Sequence, residues 1–369
     1  MEVENASDPE YIYTVGRRLF PGLSNESIVF WWKVEDVTSE LYTRLTFLNF
    51  YIAFPGLFLN IFHFWILTRK SMMTSSTNVI MIGICICDLV AMATLVQMFI
   101  ANRLSIYQTR EGCHPPGSRL EVALAQVMPM LGSFFRRYSV WLGVLLAAVR
   151  ALIVKNPTHR LAGSLGSLRF GVLSALLTFL ACIPLPVLRK LDTRIEVRGV
   201  WRPTSSCPEY PTNHSQPVYW IVYRDTFGET LGNVMLYLDS WLFRIVPSFI
   251  FPVLSLILIV ELQKARRRRV KTLRWSSGED GSRSTRTTRF VLWMTVSFVF
   301  AAAPQGVISM LLHFSAGYQG FINILVQMTS IFLVSESVNA ITHFLIPSLI
   351  SSQYRKTVRG VFSCGNATS

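Results

Sequence analysis

Hydrophobic and polar positions along this chain change on the scale of whole helices. Seven apolar stretches are separated by polar segments, and each is long enough to cross the hydrocarbon core of a bilayer, which takes roughly 20 helical residues. They cover residues 45–67, 79–101, 120–153, 170–188, 239–262, 290–313 and 321–349. The pattern predicts an all-α membrane protein built as a seven-transmembrane helix bundle.

Polar segments at both ends complete the predicted organisation. Residues 1–40 are expected to form an extracellular N-terminal tail, and residues 41–350 the seven-transmembrane domain. Residues 351–369 are expected to lie in the cytoplasm as an amphipathic helix and tail. The apolar face of that short helix rests on the membrane surface and consists of Val358, Val361 and Phe362.

Composition and charge agree with this assignment and orient it. Only 15% of the residues are charged, whereas soluble domains carry about 25%. The net charge is +14, and the basic residues flank the spans, most densely in the run ARRRR at 265–269. Basic loops stay in the cytoplasm, so we expect a plasma-membrane protein with its N-terminus outside and its C-terminus inside. Contact with membrane lipids explains this charge, and no nucleic-acid partner is expected because no aromatic platform accompanies it.

Cysteines and glycosylation motifs follow the same topology. Of six cysteines, only Cys113 and Cys207 reach the predicted outer side, which favours a disulfide over two free thiols. Cys364, beyond the amphipathic helix, is either a palmitoylation site or a plain free cysteine. Three glycosylation motifs also fall on the predicted outer side; they begin at Asn5, Asn25 and Asn213.

Polar residues and prolines occur inside the spans in a particular order. They are Asn60, Asp88, Arg150, Pro252, Pro304 and Asn339. This ordered set resembles the rhodopsin-like G-protein-coupled receptors. The stretches RKSMMTSSTNVIMIGICICDLV, FRRYSVWLGVLLAAVRALIVKNP and NAITHFLIPSLISSQYR are similar to the nematode serpentine receptors of class w, a group that resembles receptors for FMRFamide-type neuropeptides. The resemblance covers residues 45–364.

The resemblance implies a mechanism for the polar core. A ligand shifts the sixth helix, kinked at Pro304, outward, and Arg150 then contacts a heterotrimeric G protein. Asn60, Asp88 and Asn339 are expected to form a polar network, in which Asp88 binds a sodium ion or, alternatively, belongs to a water-filled cluster. Several positions depart from the family pattern: Val149 replaces the usual acid before Arg150, so high basal activity is a hypothesis.

Two adjacent arginines in the third span carry the ligand-site hypothesis. Arg137 lies thirteen residues before Arg150, or about 20 Å along a helix, which places it in the outer half of the bilayer. An arginine at such depth must face water, an acid or an anionic ligand. Arg136 and Arg137 therefore either pair with an acid to fix helix packing or line an aqueous ligand pocket. The other candidate members of this site are Asp239, Arg244 and Glu336.

Other functional classes fit less well. The chain has no H-E-x-x-H, G-x-S-x-G or phosphate-loop motif, so we do not expect an enzyme. A transporter or channel would suit intramembrane charges, but no internal repeat is apparent. Within the receptor class, a short neuropeptide is the favoured ligand because residues 189–238 are rich in charge and aromatic side chains. A small environmental molecule is the alternative.

Overall fold

Helices dominate the part of the chain that the computed structural model describes. Described are residues 9–109, 113, 115–155, 160–203, 207, 210–211, 213–223, 228–272, 298–301, 303–312, 314–315 and 317–363. The helices are α1 Pro9–Leu19, α2 Asn25–Leu67, α3 Ser76–Thr109, α4 Arg119–Lys155, α5 Arg160–Gly166, α6 Leu168–Cys182, α7 Pro184–Leu191, α8 Gly228–Ser240, α9 Val246–Thr272, α10 Phe298–Leu312, α11 Gln319–Ile350 and α12 Ser352–Ser363. A π-helical turn, Trp241–Ile245, joins α8 to α9.

The membrane-spanning helices fall where the apolar pattern predicts them. Within the described residues, six helical stretches are long and apolar enough to cross a bilayer, and α10 adds a shorter apolar helix at the predicted sixth span. The six stretches are Asn25–Leu67, Ser76–Ala101, Arg119–Lys155, Leu168–Leu188, Tyr237–Lys264 and Gln319–Leu349. The predicted seven-helix membrane fold is confirmed.

The segment between α7 and α8 holds an element that the apolar pattern does not predict. Strands β1 Thr193–Trp201 and β2 Gln216–Tyr223 form an antiparallel hairpin, with a register irregularity between Val197 and Val200. Both strands are rich in β-branched and aromatic residues, which favour pleated backbone. The Cys113–Cys207 disulfide, present as predicted, ties the hairpin segment to the chain before α4.

The chain separates into two compact groups of helices. The first contains residues 1–52 and 236–343, and the second contains residues 53–235 and 344–369. In the second group, small residues let the helices approach closely, as is common in membranes. Gly83 faces Leu142, Gly132 faces Thr94, and Gly171 faces the backbone of Ser76.

In the first group, the N-terminal segment is helical and packs against the start of α11. Phe20 and Ile28 are fully buried together with Ile324. Gly16 and Gly320 make this packing possible, because a Cβ at either position would collide with Ile28 or Phe20. Residues 9–52 are therefore a folded part of this helix group.

Candidate functional site

All five residues of the predicted ligand site lie in membrane-spanning helices. Arg136 and Arg137 are half-buried on α4, in the second helix group. The other three belong to the first group: Asp239 is buried at the end of α8, Arg244 lies in the π-helical turn, and Glu336 is half-buried on α11. The ligand-site role of all five stays a prediction.

The π-helical turn has a physical cause in the sequence. Pro247 has no N–H, so it cannot donate a hydrogen bond to the residue four positions before it, as a regular helix requires. The backbone instead widens: the N–H of Val246 donates to the carbonyl of Trp241, five residues earlier. The hydroxyl of Ser248 donates to the carbonyl of Arg244 at 2.6 Å. Turns of this kind occur frequently at functional sites.

Arg244 contacts a residue that sequence reasoning missed. Its Nη1 donates a hydrogen bond to Oε1 of Gln305, which directly follows Pro304 on α10. Gly306 allows this approach, since a Cβ there would lie 3.0 Å from Cγ1 of Ile245 and 3.3 Å from Cβ of Arg244. A proline followed by a glycine two positions on, in an apolar span, was the available signal for a close helix contact.

Gln305 is only 3% exposed, and its Nε2 has no hydrogen-bond partner among the described residues. A buried donor left unsatisfied costs about 1–3 kcal/mol. Such an amide is retained against a free-energy cost, which makes it a candidate for a functional role.

Two members of the predicted polar core, Asn60 and Asp88, lie in the second helix group. Asn60 on α2 is fully buried, and its Nδ2 donates to the carbonyl of Gly56 at 3.0 Å. Two residues of α3 contact it: Met92 through Sδ, and Cys85, whose Sγ donates to the Asn60 carbonyl at 3.4 Å. Asp88, itself buried, lies between these two residues on the same face of α3.

The donor set near Asp88 fits a hard cation. Oδ1 of Asn60 is buried without a hydrogen-bond partner among the described residues. A carboxylate and an amide oxygen are the ligand types that such ions prefer. Asn339, Pro304 and Arg150 lie half-buried on α11, α10 and α4. Their activation roles, and the sodium site, stay predictions.

Helix α12 is present as the apolar pattern predicts, and it is anchored by contacts that this pattern could not predict. Tyr354 is 1% exposed and packs in a cluster with Ile66, Leu67 and Met72. Its hydroxyl lies 3.1 Å from Nδ1 of His63 on α2. Burial raises the pKa of Tyr354 to about 12, so this phenol is neutral at physiological pH. Nε2 of Gln353 adds a hydrogen bond to the carbonyl of Ser71.

The predicted modification sites are partly described. Asn25 and Asn213 are exposed, which a glycosylation acceptor requires. Arg17 Nη2 donates to Oδ1 of Asn25 at 3.3 Å. Asn5 and Cys364 lie outside the described residues.

Seven apolar spans, a disulfide before the third of them and an amphipathic helix after the last define the architecture of a G-protein-coupled receptor. The model of one family, the serpentine type 7TM GPCR chemoreceptor Srw, matches residues 47–365, and the chain belongs to this family.

A curated relative from Caenorhabditis elegans, sex peptide receptor-related protein 2, is 29% identical over 248 residues. The match covers 63% of this chain and 52% of the relative, so the chain spans about half the length of that protein.

Proposed function

We propose that this protein is a plasma-membrane receptor, with its N-terminus outside and its C-terminus in the cytoplasm, that activates a heterotrimeric G protein. Binding of an extracellular ligand shifts α10 outward at Pro304, and Arg150 then contacts the G protein. Family membership supports this function, as does the basic run at 265–269 beside the predicted cytoplasmic end of α9. The protein performs no chemical reaction of its own.

The ligand that we propose is a short peptide. The relative named above is called a sex peptide receptor-related protein, which supports a peptide. The hairpin segment also presents aromatic surface: Trp201 and Tyr210 pack edge to face at 5.5 Å, with His214 beside them. A small environmental molecule is the second candidate, supported by the chemoreceptor name of the family.

The observation that carries the binding hypothesis is the placement of charged side chains inside apolar spans. Arg136 and Arg137 occupy the middle of α4, where a charge is costly unless it faces water, an acid or a ligand. Asp239, Arg244 and Glu336 add charges at the other predicted positions. We propose that these side chains bind the polar backbone or charged groups of the peptide.

The polar core is proposed to hold the resting state. Asn60, Asp88 and Asn339 belong to this core, and Asp88 with Oδ1 of Asn60 would bind the sodium ion. The ion would supply a positive charge that offsets the buried carboxylate. Thermal stability of the purified receptor in sodium chloride against choline chloride tests this proposal: Asp88→Asn should remove any stabilisation by sodium.

The surface modifications follow from the proposed orientation. Asn5, Asn25 and Asn213 would carry glycans, and Cys364 would carry a palmitoyl group beside α12. Removal of N-glycans from the expressed receptor should increase its gel mobility, and replacement of all three asparagines by glutamine should abolish that change.

A two-stage experiment tests the receptor function. Cells expressing the chain are first screened with amidated peptides and with soluble and volatile small molecules, with calcium and cyclic nucleotides as readouts. Arg137→Ala is then compared with the native chain at matched surface expression. We expect the variant to lose the response to the active compound. Loss of surface expression instead would assign Arg137 a packing role, and ion flux in proteoliposomes without G protein would favour a transporter.

A further inference from the structure

Arg244 and Gln305 form a pair with hydrogen-bonding capacity that the helices leave unused. Oε1 of Gln305 accepts from Nη1 of Arg244. This contact fixes which end of the amide faces the arginine, because a guanidinium only donates. The other end of the amide, Nε2, is a buried donor without an acceptor among the described residues.

We infer that Gln305 and Arg244 together bind an oxygen acceptor of the ligand, either a carboxylate or a peptide carbonyl. This inference rests on the receptor function proposed above and adds Gln305 to the ligand-binding residues. An acceptor beside Nε2 of Gln305 satisfies that donor, and the remaining N–H groups of Arg244 strengthen the interaction through charge.

The backbone around both side chains holds the two donors in place. Arg244 lies in the π-helical turn before Pro247, and the hydroxyl of Ser248 donates a hydrogen bond to the carbonyl of Arg244. Gln305 is held between Pro304 and Gly306, and Gly306 packs directly on Arg244 and Ile245. Donors whose positions are set by the surrounding packing lose little conformational entropy when they bind an acceptor.

The position of the pair also connects binding to the proposed movement. Gln305 is the residue after the proline at which α10 is expected to bend. An acceptor that binds Gln305 more strongly in one arrangement of α10 than in the other shifts the population of the two arrangements. If the Arg244–Gln305 contact only held the two helices together, water would not need to reach Gln305, and reagents near it would show no preference for negative charge. A binding site requires both.

Cysteine labelling in intact cells tests this difference. Gln305→Cys is treated from outside with an anionic reagent, sulfonatoethyl methanethiosulfonate, and with a cationic one, trimethylammonioethyl methanethiosulfonate. The matched control is Val307→Cys, two residues on and about 200° around the helix, at a position that is 56% exposed in the protein and would face lipid. The described free cysteines, Cys85, Cys87 and Cys182, are buried, and the native chain measures the background.

We expect the cysteine at position 305 to react faster than the one at position 307. With each rate divided by that of the same reagent with a free thiol in solution, the anionic reagent should be favoured about tenfold over the cationic one at position 305, since a nearby positive charge concentrates anions. Adding Arg244→Gln should remove that preference while leaving reaction with the cationic reagent intact. Equal rates at positions 305 and 307, or an anion preference that survives Arg244→Gln, would overturn the inference.

The assay needs neither an agonist nor a G protein. Labelling as expected without activation of a G protein would support the acceptor site and contradict the proposed receptor function. A response to a ligand together with a failed labelling test would support the receptor function and exclude Gln305 as a binding residue. Surface expression of each variant is measured in the same cells. Gln305→Ser is a further control, which checks that truncation of this side chain leaves the receptor at the surface.

Discussion

The two helix groups are packed in different ways. In the second group, α3, α4 and α6 meet where a glycine faces a side chain or a backbone, as Gly171 faces Ser76. In the first group, the contact between the π-helical turn and α10 combines Pro247, Pro304, Gly306 and the half-buried Arg244–Gln305 hydrogen bond. Close packing resists small displacements, whereas prolines and π-helical turns interrupt the backbone hydrogen bonds that keep a helix straight. We therefore propose that the second group is a fixed scaffold and that the contact between the π-helical turn and α10 is a hinge.

Replacement of Gly171 by alanine should have the largest effect. The new Cβ would lie 2.7 Å from Cα and 3.0 Å from the carbonyl oxygen of Ser76. Backbone atoms cannot rotate away, so we expect a loss of about 2–3 kcal/mol of stability and a marked drop in surface expression. Thermal unfolding of the purified receptor measures the loss.

Gly163→Ala on α5 is the control for that experiment, because a Cβ there would meet nothing within 4 Å. This variant should express as the native chain does. A Gly171→Ala receptor that is as stable as the Gly163→Ala receptor would remove the argument for a rigid scaffold.

Gly306→Ala should affect signalling more than stability. Its Cβ would lie 3.0 Å from Cγ1 of Ile245, which can move by a change of rotamer, and 3.3 Å from Cβ of Arg244. We expect a stability change below about 1 kcal/mol. The added methyl group should push α10 away from the π-helical turn and raise ligand-independent nucleotide exchange on the G protein. Gly232→Ala on α8, with open space around it, serves as the control. Unfolding as severe as that of Gly171→Ala would show that both contacts are equally rigid.

The spans could be predicted from the sequence because a bilayer requires about 20 apolar residues in each helix. Each of the seven predicted stretches overlaps a helix of the protein. The β-hairpin could not be found in this way, since its strands are short and lie in a segment that is polar on average. The π-helical turn depends on Pro247, and the apolar pattern around that residue is the same for a regular helix.

The residues of the candidate site also differ in whether the sequence alone could reveal them. Charged side chains such as Arg244 stand out in an apolar span, so sequence reasoning found them. Gln305 is neutral and its importance rests on burial and on the contact with Arg244, which only the fold reveals. Tyr354 was missed for the same reason: an aromatic residue on an amphipathic helix gives no sign that its hydroxyl meets His63.

Tyr354→Phe asks whether a polar contact matters in the rigid group. The variant removes the hydroxyl that lies 3.1 Å from His63 and keeps the buried ring. We expect a loss of about 1 kcal/mol and faster hydrogen exchange in α12. Tyr51→Phe, at a position that is 67% exposed, is the control. Equal exchange in both variants would show that the ring alone anchors α12.

The pH dependence of that loss follows from the raised pKa of Tyr354. The folded value of about 12 lies above the ordinary value of 10.0, so burial favours the neutral phenol. The contribution of Tyr354 to the free energy of unfolding is therefore complete at pH values below the ordinary pKa, and it declines as the pH rises from about 10 towards 12. The difference between Tyr354→Phe and the native chain should therefore stay constant between pH 7 and pH 9. A difference that changes within this range would assign the titration to another group.

Thr38→Val should have the smallest effect. It tests whether a polar contact also matters in the first group, which contains the proposed hinge. The hydroxyl of Thr38 has two acceptors, Oε1 of Gln327 at 2.5 Å and the carbonyl of Glu35 in its own helix at 3.0 Å, and Nε2 of Gln327 donates to Oε1 of Glu35 at 3.2 Å. Valine keeps the shape of the side chain and removes one hydrogen bond at a half-buried position, where water can replace it. We expect a loss of about 0.5 kcal/mol and slightly faster hydrogen exchange at the start of α11.

Thr43→Val is the control, since Thr43 is exposed and its hydroxyl donates to the carbonyl of Ser39 in its own helix, at 3.1 Å. If Thr38→Val cost more stability than Tyr354→Phe, the N-terminal segment would be held by its polar contacts rather than by the buried ring of Phe20 against the half-buried ring of Phe321, whose centroids lie 5.2 Å apart. The first group would then be fixed at this end of α11 by directional bonds, and the movement proposed for it would have to be confined to the region around the π-helical turn and α10.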